Sequence, residues 1–334
     1  MPVTSVGDMA QQFVSMRNGG RIKTDLSQLA QSLSTGRVTD VTATLGGETA
    51  RLSGINYTLN QLESYEQVSK ETTQTLSGIQ TILSQVNSLR AQTSEQLLLL
   101  SDESNPSQID EAGRASRETF NQMIATLNTR VADRSLLSGS AVEAQALADG
   151  DDMIADMIAT LGGATTSDDI LQGIDTWFDD PAGGFETMGY LGDRGPDPEK
   201  RLSDTKSLVI DARANDAEII NLLKAAAVAA IADELPTIDL QTKSTLLQSA
   251  GRSLFAAADG MVDVQARIGF SEANIARWAA ELNAEKTALQ IAKNDMISAD
   301  PFDTASRLQS AQLQLETHYS VTARMSRISL LDYI

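Results

Sequence analysis

No cysteine occurs in the 334 residues, which excludes disulfides, thiolate metal sites and a cysteine nucleophile while leaving the redox compartment open. Histidine occurs once, as His318, so a histidine-rich metal site lacks its residues and a Ser-His-Asp triad would have to borrow His318 from a coiled-coil helix. Basic residues are outnumbered 26 to 45, and a net charge of −19 argues against nucleic acid or an anionic membrane as partner. Long apolar runs are missing too. The longest, Ala225 to Ala232, is too short and too rich in alanine to span a bilayer, so no membrane insertion is expected. The first residues, Met1 to Asp8, hold no basic segment followed by an apolar one, so no cleavable signal peptide is expected. Aromatics are only 4% and prolines only seven, both consistent with long helices.

What is present is helical periodicity at both ends. Val6, Met9, Phe13 and Met16 step by three and four; Asn18-Gly19-Gly20 interrupts, and Leu26, Leu29 and Leu33 resume up to Gly36. Two adjacent glycines predict a first helix that is marginal or bent. After a threonine-rich connection at 37–47, a long helical pattern carries Leu52, Ile55, Leu59 and Leu62, then Ile79, Leu83 and Val86. A turn at 101–106 leads into a helix through Ile109, Phe120, Met123 and Leu127, and so short a turn predicts antiparallel neighbours. Further on, helices are expected at 216–232 and 239–260. The next helix has the cleanest seam: Val264, Ile268, Ser271, Ile275, Trp278, Leu282, Glu285, Leu289, Ala292 and Met296 alternate four and three, the coiled-coil spacing. Asp300-Pro301 then opens a last helix with a cap and a preset first turn, striped by Leu308, Ala311, Leu315, Tyr319, Thr322, Met325 and Ile328. A stripe so narrow requires partner helices.

The middle differs. Between Ser140 and Asp204 there are 15 acidic residues against 3 basic, with Trp177, Phe178, Phe185 and Tyr190 among glycines and prolines. Short helices are expected at 153–161 and 168–178 and strands at 185–191 and 207–212, giving a separate, solvated α/β unit. Its paired carboxylates have solvation as the default explanation. Asp149-Gly150-Asp151-Asp152 lacks the glycine and glutamate of a calcium loop. No phosphate loop and no nucleophile elbow occur, so the sequence offers no catalytic constellation, metal site or cofactor site.

Three separated stretches carry a family resemblance. Leu33-Ser34-Thr35-Gly36-Arg37 resembles the sequence that follows the first helix in flagellins and their relatives. Asp133-Arg134-Ser135-Leu136-Leu137-Ser138-Gly139 is similar to the element that leads into the variable outer domain, with Ser135 where a tyrosine is expected. Ala299 to Ala305 and the ending Ser329-Leu330-Leu331-Asp332-Tyr333-Ile334 resemble the hook–filament junction branch, the third hook-associated proteins, of the flagellin superfamily. Residues 38–47 depart from the family pattern. The resemblance implies an extracellular, non-enzymatic flagellar subunit, exported through the flagellum's own secretion apparatus. It would form a homo-oligomeric ring between the first hook-associated protein and flagellin, after release from a cytoplasmic export chaperone.

The fold class expected is mainly α: a long antiparallel coiled-coil or helical bundle formed by both chain ends, with a small inserted α/β domain. Residues 1–47 and 296–334 would be a terminal coiled-coil region ordered on assembly, 48–139 and 205–295 a helical bundle, and 140–204 an acidic outer domain. The simplest geometry is a hairpin with both termini at one end. Candidate subunit-interface residues are Phe13, Met16, Leu26, Leu29, Leu33, Leu308, Leu315, Tyr319, Met325, Ile328, Leu330, Leu331 and Tyr333. The rivals are a flagellin proper, whose tail is typically Leu-Leu-Arg-like, and an intracellular coiled-coil scaffold or signalling protein. An enzyme hidden in 140–204 is the least favoured.

Overall fold

In the computed structural model, which describes residues 4–101 and 104–331, the chain is mainly α. Helices α1 (Thr4–Thr35), α2 (Val41–Leu45), α3 (Thr49–Leu98) and α4 (Pro106–Leu127) come first. The hairpin β1 (Arg130–Val131) and β2 (Arg134–Ser135) follows. Next are α5 (Gly150–Leu161), α6 (Ser167–Asp179), the antiparallel pair β3 (Glu199–Arg201) and β4 (Ser207–Val209), α7 (Ala217–Glu234), α8 (Leu240–Ile297) and α9 (Pro301–Leu331). The chain divides into two compact units, Met1–Leu62 with Asn283–Ile334, and Glu63–Leu282.

The second unit has a closed core. Within it, the start of α4 is set by Asn105, whose side chain accepts from the Gln108 amide at 2.9 Å while Gln108 reaches back to the Asn105 N–H, with Pro106 in the first turn. Leu76, Ile79, Leu83 and Val86 of α3 and Phe120, Met123 and Leu127 of α4 are fully buried. The seam of α8 is buried at Val264, Ile268, Ser271, Ile275 and Leu282, as its spacing requires. Side chains of α3 tie it to backbone carbonyls of α8: Gln80 donates to Gln265, Arg90 to Leu254 and Ser94 to Gly251, at 2.8–2.9 Å. The partners descend along α8 as they ascend along α3, so these segments run antiparallel. A Cβ on Gly251 would sit 2.9 Å from Leu97 Cβ, so this glycine permits the close approach.

The acidic stretch is joined to that core rather than set apart from it. Leu147, Met153, Met157, Ile170, Ile174, Trp177 and Phe185 belong to the same hydrophobic cluster as Phe120 of α4 and Leu222 and Ala226 of α7. Trp177 meets Phe178 and Phe185 edge-on, and its indole N–H donates to Asp156 at 2.7 Å. Its acidic surface is partly neutralised, Lys224 pairing with Asp175 and Asp179 and Arg213 with Asp197.

Three local expectations are corrected. Residues 185–191 form no strand: Phe185–Gly189 is a single π-helical turn closed by Tyr190 N–H donating to the Phe185 carbonyl at 2.7 Å. That wide turn stacks the rings of Phe185 and Tyr190, and the absence of a Cβ on Gly184 leaves room for the Trp177 indole. The strand at 207–212 is shorter, ending at Val209, and neither its partner β3 nor the β1–β2 hairpin shows in the hydrophobic pattern. The helices expected at 239–260 and beyond are one, α8, because Gly260 packs close to Glu218 of α7 instead of ending the helix. α1, expected to be marginal or bent by itself at Gly19-Gly20, runs through both glycines with α9 packed beside it.

Candidate functional site: the terminal helix pair

Within the first unit, α1 and α9 lie side by side. Asp300 caps α9 by accepting from the N–H groups of Phe302 and Asp303 at 2.8 and 3.0 Å. Gly36, at φ +69°, ends α1 in the left-handed conformation, its N–H donating to the Ser32 carbonyl at 2.9 Å. There the two segments are clasped: Val38 N–H donates to the Ile297 carbonyl and Ala299 N–H to the Gly36 carbonyl, at 2.9 and 3.0 Å. Further along, Ser15 meets His318 and Thr322. Rising numbers on one helix meet falling numbers on the other, so the pair is antiparallel.

Each helix offers a heptad seam. On α1 it runs through Ser15, Gly19, Ile22, Leu26 and Leu29, all buried or half-buried; on α9 it runs through Thr304, Leu308, Ala311, Leu315 and His318, likewise. At the centre, His318 Nε2 lies 2.9 Å from the Ser15 carbonyl oxygen and 3.3 Å from the Ser15 hydroxyl. Gly19 makes this possible. The Ser15 carbonyl already accepts in the helix ladder from residue 19, and a Cβ there would sit 2.9 Å from His318 Cε1. Gly19 is therefore a docking notch, and α9 supplies the packing that carries α1 through two helix-weakening residues. Gly20 has nothing within 4 Å of its Cβ position.

The opposite face of α1 is apolar and unfilled. Met9, Phe13 and Met16 are 72%, 67% and 66% exposed, and steps of four and three place them on one stripe. At about 100° per residue, Phe13 lies roughly 160° around the helix from Leu29. The leucine stripe thus does not resume the Met9–Phe13–Met16 stripe; the two are back to back. On α9, Phe302 and Leu313 occupy the corresponding outward position, 83% and 65% exposed.

The residues expected at an interface therefore separate. Phe13 and Met16 lie on the outward face. Leu26, Leu29, Leu308 and Leu315 are half-buried where the chain's own two ends meet. Leu33, Tyr319 and Met325 are exposed beside that seam, with Lys23 Nζ 5.5 Å from the centre of the Tyr319 ring. Ile328, Leu330 and Leu331 fall on the last turns of α9, and Tyr333 lies outside the described residues. Sequence reasoning missed Met9, Phe302 and Leu313 as outward groups, and Gly19 with His318 as the pin of the seam. Back-projecting both stripes onto one helical wheel separates the faces; nothing in sequence pairs residue 19 with residue 318.

Residues 253–334, which include all of α9, match the bacterial flagellin C-terminal helical region. The fold is shared with a protein from Vibrio parahaemolyticus assigned to the flagellar hook-associated proteins, at TM-score 0.50 and 14% identity, over 76% of this chain and 99% of that one. No curated protein matches the chain. The family match thus covers the whole of α9, one member of the terminal pair, and the structural likeness concerns the fold of most of the chain.

Proposed function

We propose that this chain is a structural, non-catalytic subunit of the bacterial flagellum, acting outside the cell, and that its place is the junction between hook and filament. The observation that carries the reading is the unfilled face of Met9, Phe13 and Met16 on a helix whose partner belongs to the flagellin-type segment. A water-facing row of large apolar side chains marks an interaction surface. In this reading the row packs against the terminal helices of neighbouring subunits, building a homo-oligomeric ring, and both chain ends become fully ordered only there. The ring would contact the first hook-associated protein on one side and flagellin on the other. Export would use the flagellar secretion apparatus, with a cytoplasmic chaperone covering the apolar C-terminal helix beforehand. The ending Ser329 to Ile334 favours the junction over a flagellin proper.

Immunogold labelling of isolated flagella tests the position directly. A single band at the hook–filament boundary is the expected result, whereas label along the whole filament indicates a flagellin. A deletion strain supplies the functional test. Hooks without filaments, with flagellin shed into the medium, are expected; normal filaments would remove the junction role.

A further inference from the structure

Outside the terminal pair, the second unit contains a cavity that the structural role does not use. It has a volume of about 460 Å³ and lies between α3, the β1–β2 hairpin and the segments around Gly139 and Pro198. That is within the size range of small-molecule sites. Val68, Val131, Val142 and Ile210 give it apolar walls.

Three observations on its polar lining point the same way. Ser135, only 2% exposed, lines the cavity, and its hydroxyl has no hydrogen-bond partner. A buried hydroxyl normally has one, so this is a donor waiting for an acceptor. Arg134, exposed at the rim, and Lys200, half-buried, also line it, and among the described residues neither has an ion-pair partner. Three other cations of this unit are held by carboxylates, Lys224 by two, Lys243 by two and Arg267 by three, whereas Arg90 donates to the Leu254 carbonyl and Arg277 to Asn274. In a chain of net charge −19, this lining carries two cations against one carboxylate. The one carboxylate in the lining, Glu71, is on α3 and takes a hydrogen bond from Gln67 at 3.0 Å. The hairpin is held in place as well. Its turn residues Ala132 and Asp133 have φ of 49° and 61°, and the Arg130 guanidinium donates to the Asp133 carbonyl at 3.0 Å.

We propose that this cavity is a binding site for a small organic anion with an apolar body, of the medium-chain carboxylate class. The carboxylate is received by Arg134, Lys200 and the Ser135 hydroxyl, and the hydrocarbon lies on the valine and isoleucine walls. The proposal is independent of the flagellar reading.

Titration calorimetry of the full-length protein at pH 7 tests it, with octanoate as probe, octanamide as its neutral analogue and sulfate as an anion without a body. Octanoate is expected to bind at least tenfold more tightly than either control. The paired variant Arg134→Gln/Lys200→Gln should weaken octanoate at least tenfold while leaving the ligand-free melting midpoint unchanged. Ser135→Ala should weaken it severalfold, and the filling variant Val142→Trp should abolish binding. No octanoate binding at millimolar concentration overturns the proposal. So does equal binding of octanoate and octanamide, equal binding of octanoate and sulfate, or octanoate affinity undiminished in the charge-paired variant; the last would place the ligand on an exposed apolar face instead.

Discussion

The two units differ in how far they enclose large side chains. In the 63–282 unit, Phe120, Trp177, Phe185 and Tyr190 are each 2% exposed or less, enclosed by helices from several directions. In the terminal unit, Phe13 and Phe302 are 67% and 83% exposed, because a pair of helices has only one shared seam and each keeps an outer face. The 63–282 unit has an enclosed core of its own, although Phe255 and Phe270 on α8 stay 67% and 70% exposed. The terminal pair has only its shared seam, and its outward face is the surface the proposed assembly would use.

The sharpest way to break this contrast is to truncate one phenylalanine from each unit. Phe120→Ala should lower the unfolding free energy of the larger unit by about 3–5 kcal/mol, read by denaturant titration. Phe13→Ala should stay within about 0.5 kcal/mol in the isolated protein, yet reduce assembly of flagella in cells. If Phe13→Ala destabilises the monomer as much as Phe120→Ala does, the outward face is already filled and the contrast disappears.

Asp216 sharpens the account of the closed unit. Burial pushes its carboxyl up to about 6, outweighing the Arg213 backbone N–H and the nearby Arg267 guanidinium, which favour the charged form. The folded state therefore holds this proton more tightly than the unfolded one. Its contribution to stability is complete below pH 4 and lost as pH rises through about 6. Asp216→Asn should match the parent near pH 4 and exceed it at pH 7 by on the order of 1–3 kcal/mol, read from melting curves at both pH values. A parent that gains stability relative to this variant on going from pH 4 to pH 7 contradicts the assignment.

Within the terminal unit, two adjacent glycines should respond with opposite signs. Gly20→Ala meets open space and should protect α1 against hydrogen exchange by about 0.5–1 kcal/mol. Gly19→Val must displace His318 and should weaken protection in both α1 and α9 by about 1 kcal/mol or more, with the larger unit untouched. Equal effects at the two positions would show that the notch is not needed.

Much of the fold was legible because helices announce themselves through local spacing. The alternation from Val264 to Leu282, the cap at Asp300 and the cap-and-proline start of α4 each rest on residues within a few positions of one another. The acidic stretch was legible as different, but not its wide turn at Phe185–Gly189 or its sharing of a core with α4 and α7. Of the candidate surface, the side chains were legible and their roles were not. Leu26 and Leu29 look like Phe13 and Met16 in sequence, yet the first two face the chain's own far end.

By itself, then, the sequence determined the helices, the charge asymmetry and the scarcity of chemistry-bearing side chains, since each depends on near neighbours or on counting. Tertiary structure alone decided that Gly19 receives His318, that two stripes on one helix point in opposite directions with only one of them covered, and that Ser135, Arg134 and Lys200 share a cavity. Those outcomes depend on segments up to three hundred positions apart meeting in space, and no short-range pattern encodes which distant surface arrives.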